Sequence, residues 1–155
     1  MQHVDKFLNI TNERVKVVYL IRDPRAIYTS RKSRSWCSKS SCSDIDILCK
    51  QIEDDLVVYR ELKQRFPERV FLIRYEDLSM YAMETTKLLF QKLMIPFSES
   101  VSRYLITHTI VPKAVHEDPN PYSTRRNSRI MPFQWTHSAK FQEIRKDNRQ
   151  ASESE

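Results

Sequence analysis

Two short apolar runs, residues 15–21 (Val-Lys-Val-Val-Tyr-Leu-Ile) and 69–75 (Arg-Val-Phe-Leu-Ile-Arg-Tyr), set the strongest limit on what this chain can fold into. Both are rich in branched and aromatic side chains and read as buried strands. Between them Ile45, Leu48, Ile52, Leu56, Tyr59, Leu62 and Phe66 recur at three- and four-residue steps, forming the apolar stripe of a helix over 44–66. Asp44 or Ser43 can cap that helix and Pro67 stops it. So long a helical connection is no hairpin. It predicts parallel strands joined by a right-handed crossover, and therefore an α/β domain.

The first strand ends at Arg22, and Asp23-Pro24 follows at once. Asp is a good N-cap and Pro is favoured at the first helical position, so a helix is expected from Pro24. An Arg at a strand end beside a helix N-terminus makes an anion site, from the partial positive charge of the helix and a bidentate guanidinium. Ser30 stands two turns into this helix, about 9 Å beyond Pro24 at the usual rise per residue, within reach of the same anion. An ordinary strand–helix unit with a solvated Arg and Ser accounts for the residues equally well.

The chain contains no glycine, where average usage of about 7% would give roughly eleven in 155 residues. A glycine-rich phosphate cradle, a Walker A loop and GxGxxG are thereby excluded from this sequence. A net charge of +6 points to an acidic partner, and nucleic acid, an acidic glycan and a phosphorylated nucleotide all satisfy it. No helix-turn-helix, zinc-finger or RNP pattern is present, and no nucleic-acid partner is expected. Three cysteines without CxxC spacing argue against a metal site. A Cys37–Cys42 loop, a bridge to another chain and reduced thiols all remain open. No apolar run is long enough to span a membrane. The first fourteen residues lack the basic start and apolar core of a signal peptide. Asn9-Ile10-Thr11 is an N-glycosylation sequon, meaningful only in a secreted chain.

The rest of the chain gives a turn of helix at His3–Leu8 and helices near 80–94 and 98–108. Residues 33–44 read as a Ser/Lys-rich surface loop that could serve as a basic lip, with Trp36 within it. Glu76 and Asp77 are placed as caps of the next helix. Four prolines over residues 111–134 predict a long irregular segment. His108 is assigned a structural place in a helix, while His116 and His137 fall in loops. None of the three stands out as a catalytic base, and the catalytic residue stays unknown.

The segment Arg-Asp-Pro-Arg-Ala-Ile-Tyr-Thr-Ser-Arg (22–31) closely resembles the 3′-phosphate-binding segment of sulfotransferases that use 3′-phosphoadenosine-5′-phosphosulfate (PAPS). It looks most like the Golgi carbohydrate 6-O-sulfotransferases. RYEDL (74–78), Met94-Ile95-Pro96, STRRNSR (123–129) and the Trp135–Phe141 stretch resemble further segments of that family, the last with Thr136 where the family has Arg. The resemblance implies that Arg22 and Ser30 hold the 3′-phosphate and that Arg126, with Arg125 beside it, belongs to a basic loop closing over PAPS. It implies a partial three-layer parallel-sheet α/β domain resembling the P-loop NTPase-like sulfotransferase fold. Residues 15–146 would be the C-terminal portion of such a domain, 1–14 a lead-in and 147–155 a disordered tail.

The implied reaction moves a sulfuryl group from PAPS to a carbohydrate hydroxyl on a glycoprotein or proteoglycan, in the Golgi. Any membrane attachment would come from an N-terminal anchor outside this sequence. The family's 5′-phosphosulfate loop precedes the strand at residue 15, so this chain is expected to be inactive alone. The alternative is a non-catalytic descendant that binds nucleotide or acidic glycan.

Overall fold

The computed structural model describes residues 3–11, 15–32, 34–37, 42, 44–110, 120 and 122–138. Helix α1 (Val4–Ile10) leads into strand β1 (Val17–Ile21), which feeds helix α2 (Pro24–Lys32). The long helix α3 (Ile45–Arg65) returns the chain to strand β2 (Val70–Arg74). Helices α4 (Tyr75–Met80), α5 (Ala82–Leu93), α6 (Glu99–Thr109) and α7 (Gln134–Ser138) follow.

β1 and β2 pair in parallel, with Val17 opposite Val70 and Ile21 opposite Arg74. This is the pairing the helical connection demands. The Asp44 side chain accepts from the N–H groups of Asp46 (2.9 Å) and Ile47 (3.1 Å), satisfying two donors at the start of α3. The core lies where α1 and α3 cover one face of the pair: Leu8, Leu62 and Val70 are buried together, with Val17, Val58, Tyr59 and Phe66 packed around them.

β1 is not the buried strand its composition suggests. Val18 and Leu20 are exposed while Phe71 and Ile73, beside them on the same face of β2, are buried: among the described residues the cover on that face reaches β2 and not β1, whereas Val17 and Tyr19 pack toward α3. The helix expected over 80–94 is α5, and a short helix not expected from the sequence, α4, precedes it; the two are separated at Tyr81, whose φ of −125° and ψ of 51° leave the helical region.

α5 ends in a Schellman arrangement. The Ile95 N–H donates to the Phe90 carbonyl at 2.9 Å and the Met94 N–H to that of Gln91 at 3.0 Å. Met94 stands at the left-handed position with φ 57°, where glycine is the favoured residue. Met94→Gly is expected to raise stability by about 1 kcal/mol in urea unfolding, because the Cβ clash disappears while the exposed side chain gives up little.

Candidate functional site

The register of the sheet builds the site. With Ile21 opposite Arg74, the next residues along each strand, Arg22 and Tyr75, emerge side by side. The Arg22 guanidinium lies over the Tyr75 ring, 4.4 Å from its centroid. Its Nε is buried and has no hydrogen-bond partner. A buried donor left unmatched costs about 1–3 kcal/mol, more when charged, and an anionic oxygen relieves that cost. A phosphate fits here.

Arg25, three residues on, is committed elsewhere. Its Nε and Nη2 donate to Asp23 Oδ1 (3.0 Å) and Oδ2 (2.7 Å), and its guanidinium lies 4.9 Å from the Trp135 ring on α7. Asp23 Oδ1 also accepts the Arg25 backbone N–H at 2.9 Å, the N-cap bond expected of this residue. The first turn of α2 is thus capped internally, and an anion would meet its dipole rather than a row of free donors. The Arg25 side chain holds the Asp23 carboxyl below the usual carboxylate range. A lowered folded value means that this contribution to stability is complete above about pH 4 and lost as pH falls through the folded value. Asp23→Asn should therefore flatten the acid limb of urea midpoints measured from about pH 5 downward.

Glu76 is not a cap. It lies inside α4, and its Oε1 accepts the Asp23 backbone N–H at 2.9 Å, tying the turn that carries Arg22 to the second strand–helix junction. Arg74 Nε stands 3.9 Å from the other carboxylate oxygen. Glu76→Ala strands the Asp23 amide and is expected to cost about 1–2 kcal/mol in urea unfolding, with Glu76→Gln recovering most of it because it keeps an acceptor.

Ser30 lies within α2 and is exposed, at the other end of the helix that Arg22 precedes. Arg126 lies in a cleft of about 440 Å³ lined by Tyr75, Ser79, His108, Thr109 and Ser128 among others. Its guanidinium donates to the carbonyls of Ser123 (3.4 Å) and Asn120, and its backbone N–H to the His108 carbonyl at 3.0 Å. Ser128 pins the same loop to α4 through the Ser79 carbonyl at 2.7 Å. Tyr75 is the shared element: Arg22 covers its ring, and it lines the cleft of Arg126. Arg125 is exposed.

Tyr75 and Trp135 are the residues that sequence reading missed as ring partners of Arg22 and Arg25. RYEDL (74–78) carries the ring in sequence, but its place against Arg22 follows only from the strand register.

His108 stacks on Tyr104 at 3.8 Å, with Nδ1 3.0 Å from the Tyr104 carbonyl, in keeping with a structural place on α6. His137 is exposed on α7, in a helix rather than a loop. His116 and Phe141 fall outside the described residues, as does the whole of 147–155. Cys37 and Cys42 form a disulfide, with Cys37 fully buried. Cys49 is a free thiol, and burial, with Asp46 and Glu53 nearby, pushes its pKa up. Opening a loop this short, at a sequence separation of 5, is expected to cost ~2 kcal/mol in Cys37→Ser, read as a lower urea midpoint.

The strand–turn–helix junction thus places Arg22, with its buried and unmatched Nε, against Tyr75, which also lines the cleft of Arg126. The chain belongs to the sulfotransferase family, matching the sulfotransferase domain over residues 6–148. It is 25% identical to rat carbohydrate sulfotransferase 3, with 82% of this chain and 30% of that protein covered. Rat carbohydrate sulfotransferase 1 is 25% identical, at 78% and 33% coverage, and human carbohydrate sulfotransferase 3 is 26% identical, at 82% and 29%. The chain therefore spans about a third of the length of these curated relatives. No solved structure matches it.

Proposed function

We propose that this chain forms the 3′-phosphate-binding part of a PAPS-dependent carbohydrate sulfotransferase, a C-terminal portion (15–146) of its domain. The observation that carries this reading is the buried, unpartnered Nε of Arg22 at the strand end, on a chain of sulfotransferase family. Arg22 offers its fork to the 3′-phosphate, Ser30 adds a hydroxyl from α2, and Arg126 closes from the cleft that Tyr75 also lines. Bound PAPS would supply the sulfuryl group. The residues in hand bind and align the donor, and none of them is assigned a proton transfer.

The absence of glycine from all 155 residues supports a chain with no phosphosulfate-cradling loop and hence no turnover by itself. It equally favours the second reading, a non-catalytic nucleotide- or acidic-glycan-binding protein. The carbohydrate acceptor follows from what the relatives are named for. The Cys37–Cys42 disulfide supports an oxidising, lumenal compartment such as the Golgi. No helix among the described residues is long and apolar enough to cross a membrane.

Isothermal titration of the chain with adenosine 3′,5′-bisphosphate, adenosine 5′-monophosphate and a short single-stranded RNA tests the proposal. Binding of the bisphosphate in clear preference to the other two is expected. Equal affinity for the two nucleotides, or tighter RNA binding, would overturn the 3′-phosphate site.

A further inference from the structure

The sequon Asn9-Ile10-Thr11 closes helix α1, and the proposed nucleotide site makes no use of it. Asn9 is exposed, and its neighbour Ile10 is 79% exposed. The Asn9 amide is held in a way that leaves room for a substituent. Its Oδ1 accepts from Arg65 Nη2 at 3.3 Å, while Nδ2 donates to Asp5 Oδ1 at 3.1 Å. A primary amide has two N–H donors, so one hydrogen can be replaced while both of these contacts stay in place.

Thr11 is less open in the folded chain. Its hydroxyl donates to the Phe7 carbonyl at 2.7 Å and accepts from Arg69 Nη2 at 3.0 Å. Arg69 also donates to the carbonyls of Leu8, Thr11 and Val15, and so locks this end of α1. But Arg69 follows Thr11 by 58 residues. At ordinary rates of synthesis roughly 3–12 s separate the two, an interval in which Arg69 cannot yet hold Thr11. The fold then seals Thr11 and leaves the Asn9 amide facing out.

We propose that Asn9 carries an N-linked glycan, added before Arg69 docks, an inference that rests on the lumenal placement proposed above. In the transfer the Asn9 nitrogen bonds to the anomeric carbon of an oligosaccharide held on a polyprenyl diphosphate. The carbon–oxygen bond to the diphosphate breaks, the lipid diphosphate leaves with the electron pair, and the amide gives up one proton. The sugar emerges beside the exposed Phe7 and Ile10.

The test is mass spectrometry of the whole chain from the cells that make it, on the total pool, with and without peptide N-glycosidase. Expected are an added mass that the glycosidase removes, with Asn9 left as Asp, and a Cys37–Cys42 bridge in the same molecules. Asn9→Gln and Thr11→Ala should lose the added mass, and Thr11→Ser should keep it. An oxidised Cys37–Cys42 pair with bare Asn9 overturns the glycan and leaves the lumenal placement standing. Bare Asn9 with both thiols reduced overturns both. Nucleotide titration is independent of either outcome.

Discussion

Replacing Arg22 by alanine is expected to weaken binding of adenosine 3′,5′-bisphosphate roughly 10- to 150-fold, the equivalent of a lost charge-assisted contact of about 1.5–3 kcal/mol. The size follows from position. The guanidinium is braced on Tyr75, and its Nε has no partner to lose, so an arriving phosphate gains a preorganised donor without breaking an existing bond. Arg22→Lys keeps the charge but neither the fork nor the planar stacking, and should fall between wild type and alanine. Arg25→Ala is the informative contrast, since Arg25 is held by Asp23 and Trp135 and should change affinity little. The measurement is the dissociation constant by titration at fixed ionic strength, with the urea midpoint confirming that each variant folds. Equal affinity of wild type and Arg22→Ala would remove Arg22 from the site.

Ser30→Ala should act in the same direction and more weakly. A neutral hydroxyl contributes about 0.5–1.5 kcal/mol, or roughly two- to tenfold in affinity. The pair thus separates a site built on Arg22 alone from one in which α2 also takes part.

The parallel pair, the long α3 and the Asp23–Pro24 helix start could all be read from the chain, because each rests on local pattern: strand composition, a three- and four-residue apolar period, and N-cap chemistry. The contacts between elements could not. That Arg22 meets Tyr75, and Arg25 meets Trp135, depends on which strand residues stand opposite and on α7 packing against α2. The break at Tyr81 carries neither Pro nor Gly, the usual marks of a helix end. The exposure of Val18 and Leu20 was hidden for another reason. Their composition describes a strand covered on both faces, whereas on their face the described residues bury Phe71 and Ile73 of β2 and leave β1 open. Cys37–Cys42 was one of several pairings that sequence left open, and burial of Cys37 against its neighbours is a tertiary matter.

Leu62→Ala is expected to be the most damaging single substitution for stability, at about 2–5 kcal/mol. Leu62 is 1% exposed and sits between Leu8 of α1 and Val70 of β2, so its side chain joins three elements that are distant in sequence. Removing it deletes apolar burial and opens a cavity that the helix, the strand and α1 cannot all close toward at once. A domain of this kind has about 5–15 kcal/mol in total, so the loss is a large share of it. Val57→Ala, on the same helix but 48% exposed, should stay within about 0.5 kcal/mol. Urea unfolding of both variants against wild type decides the matter. A fall in midpoint at unchanged slope for Leu62→Ala alone places the core under α3. Equal effects from the two substitutions would mean that the apolar stripe of α3 faces another way.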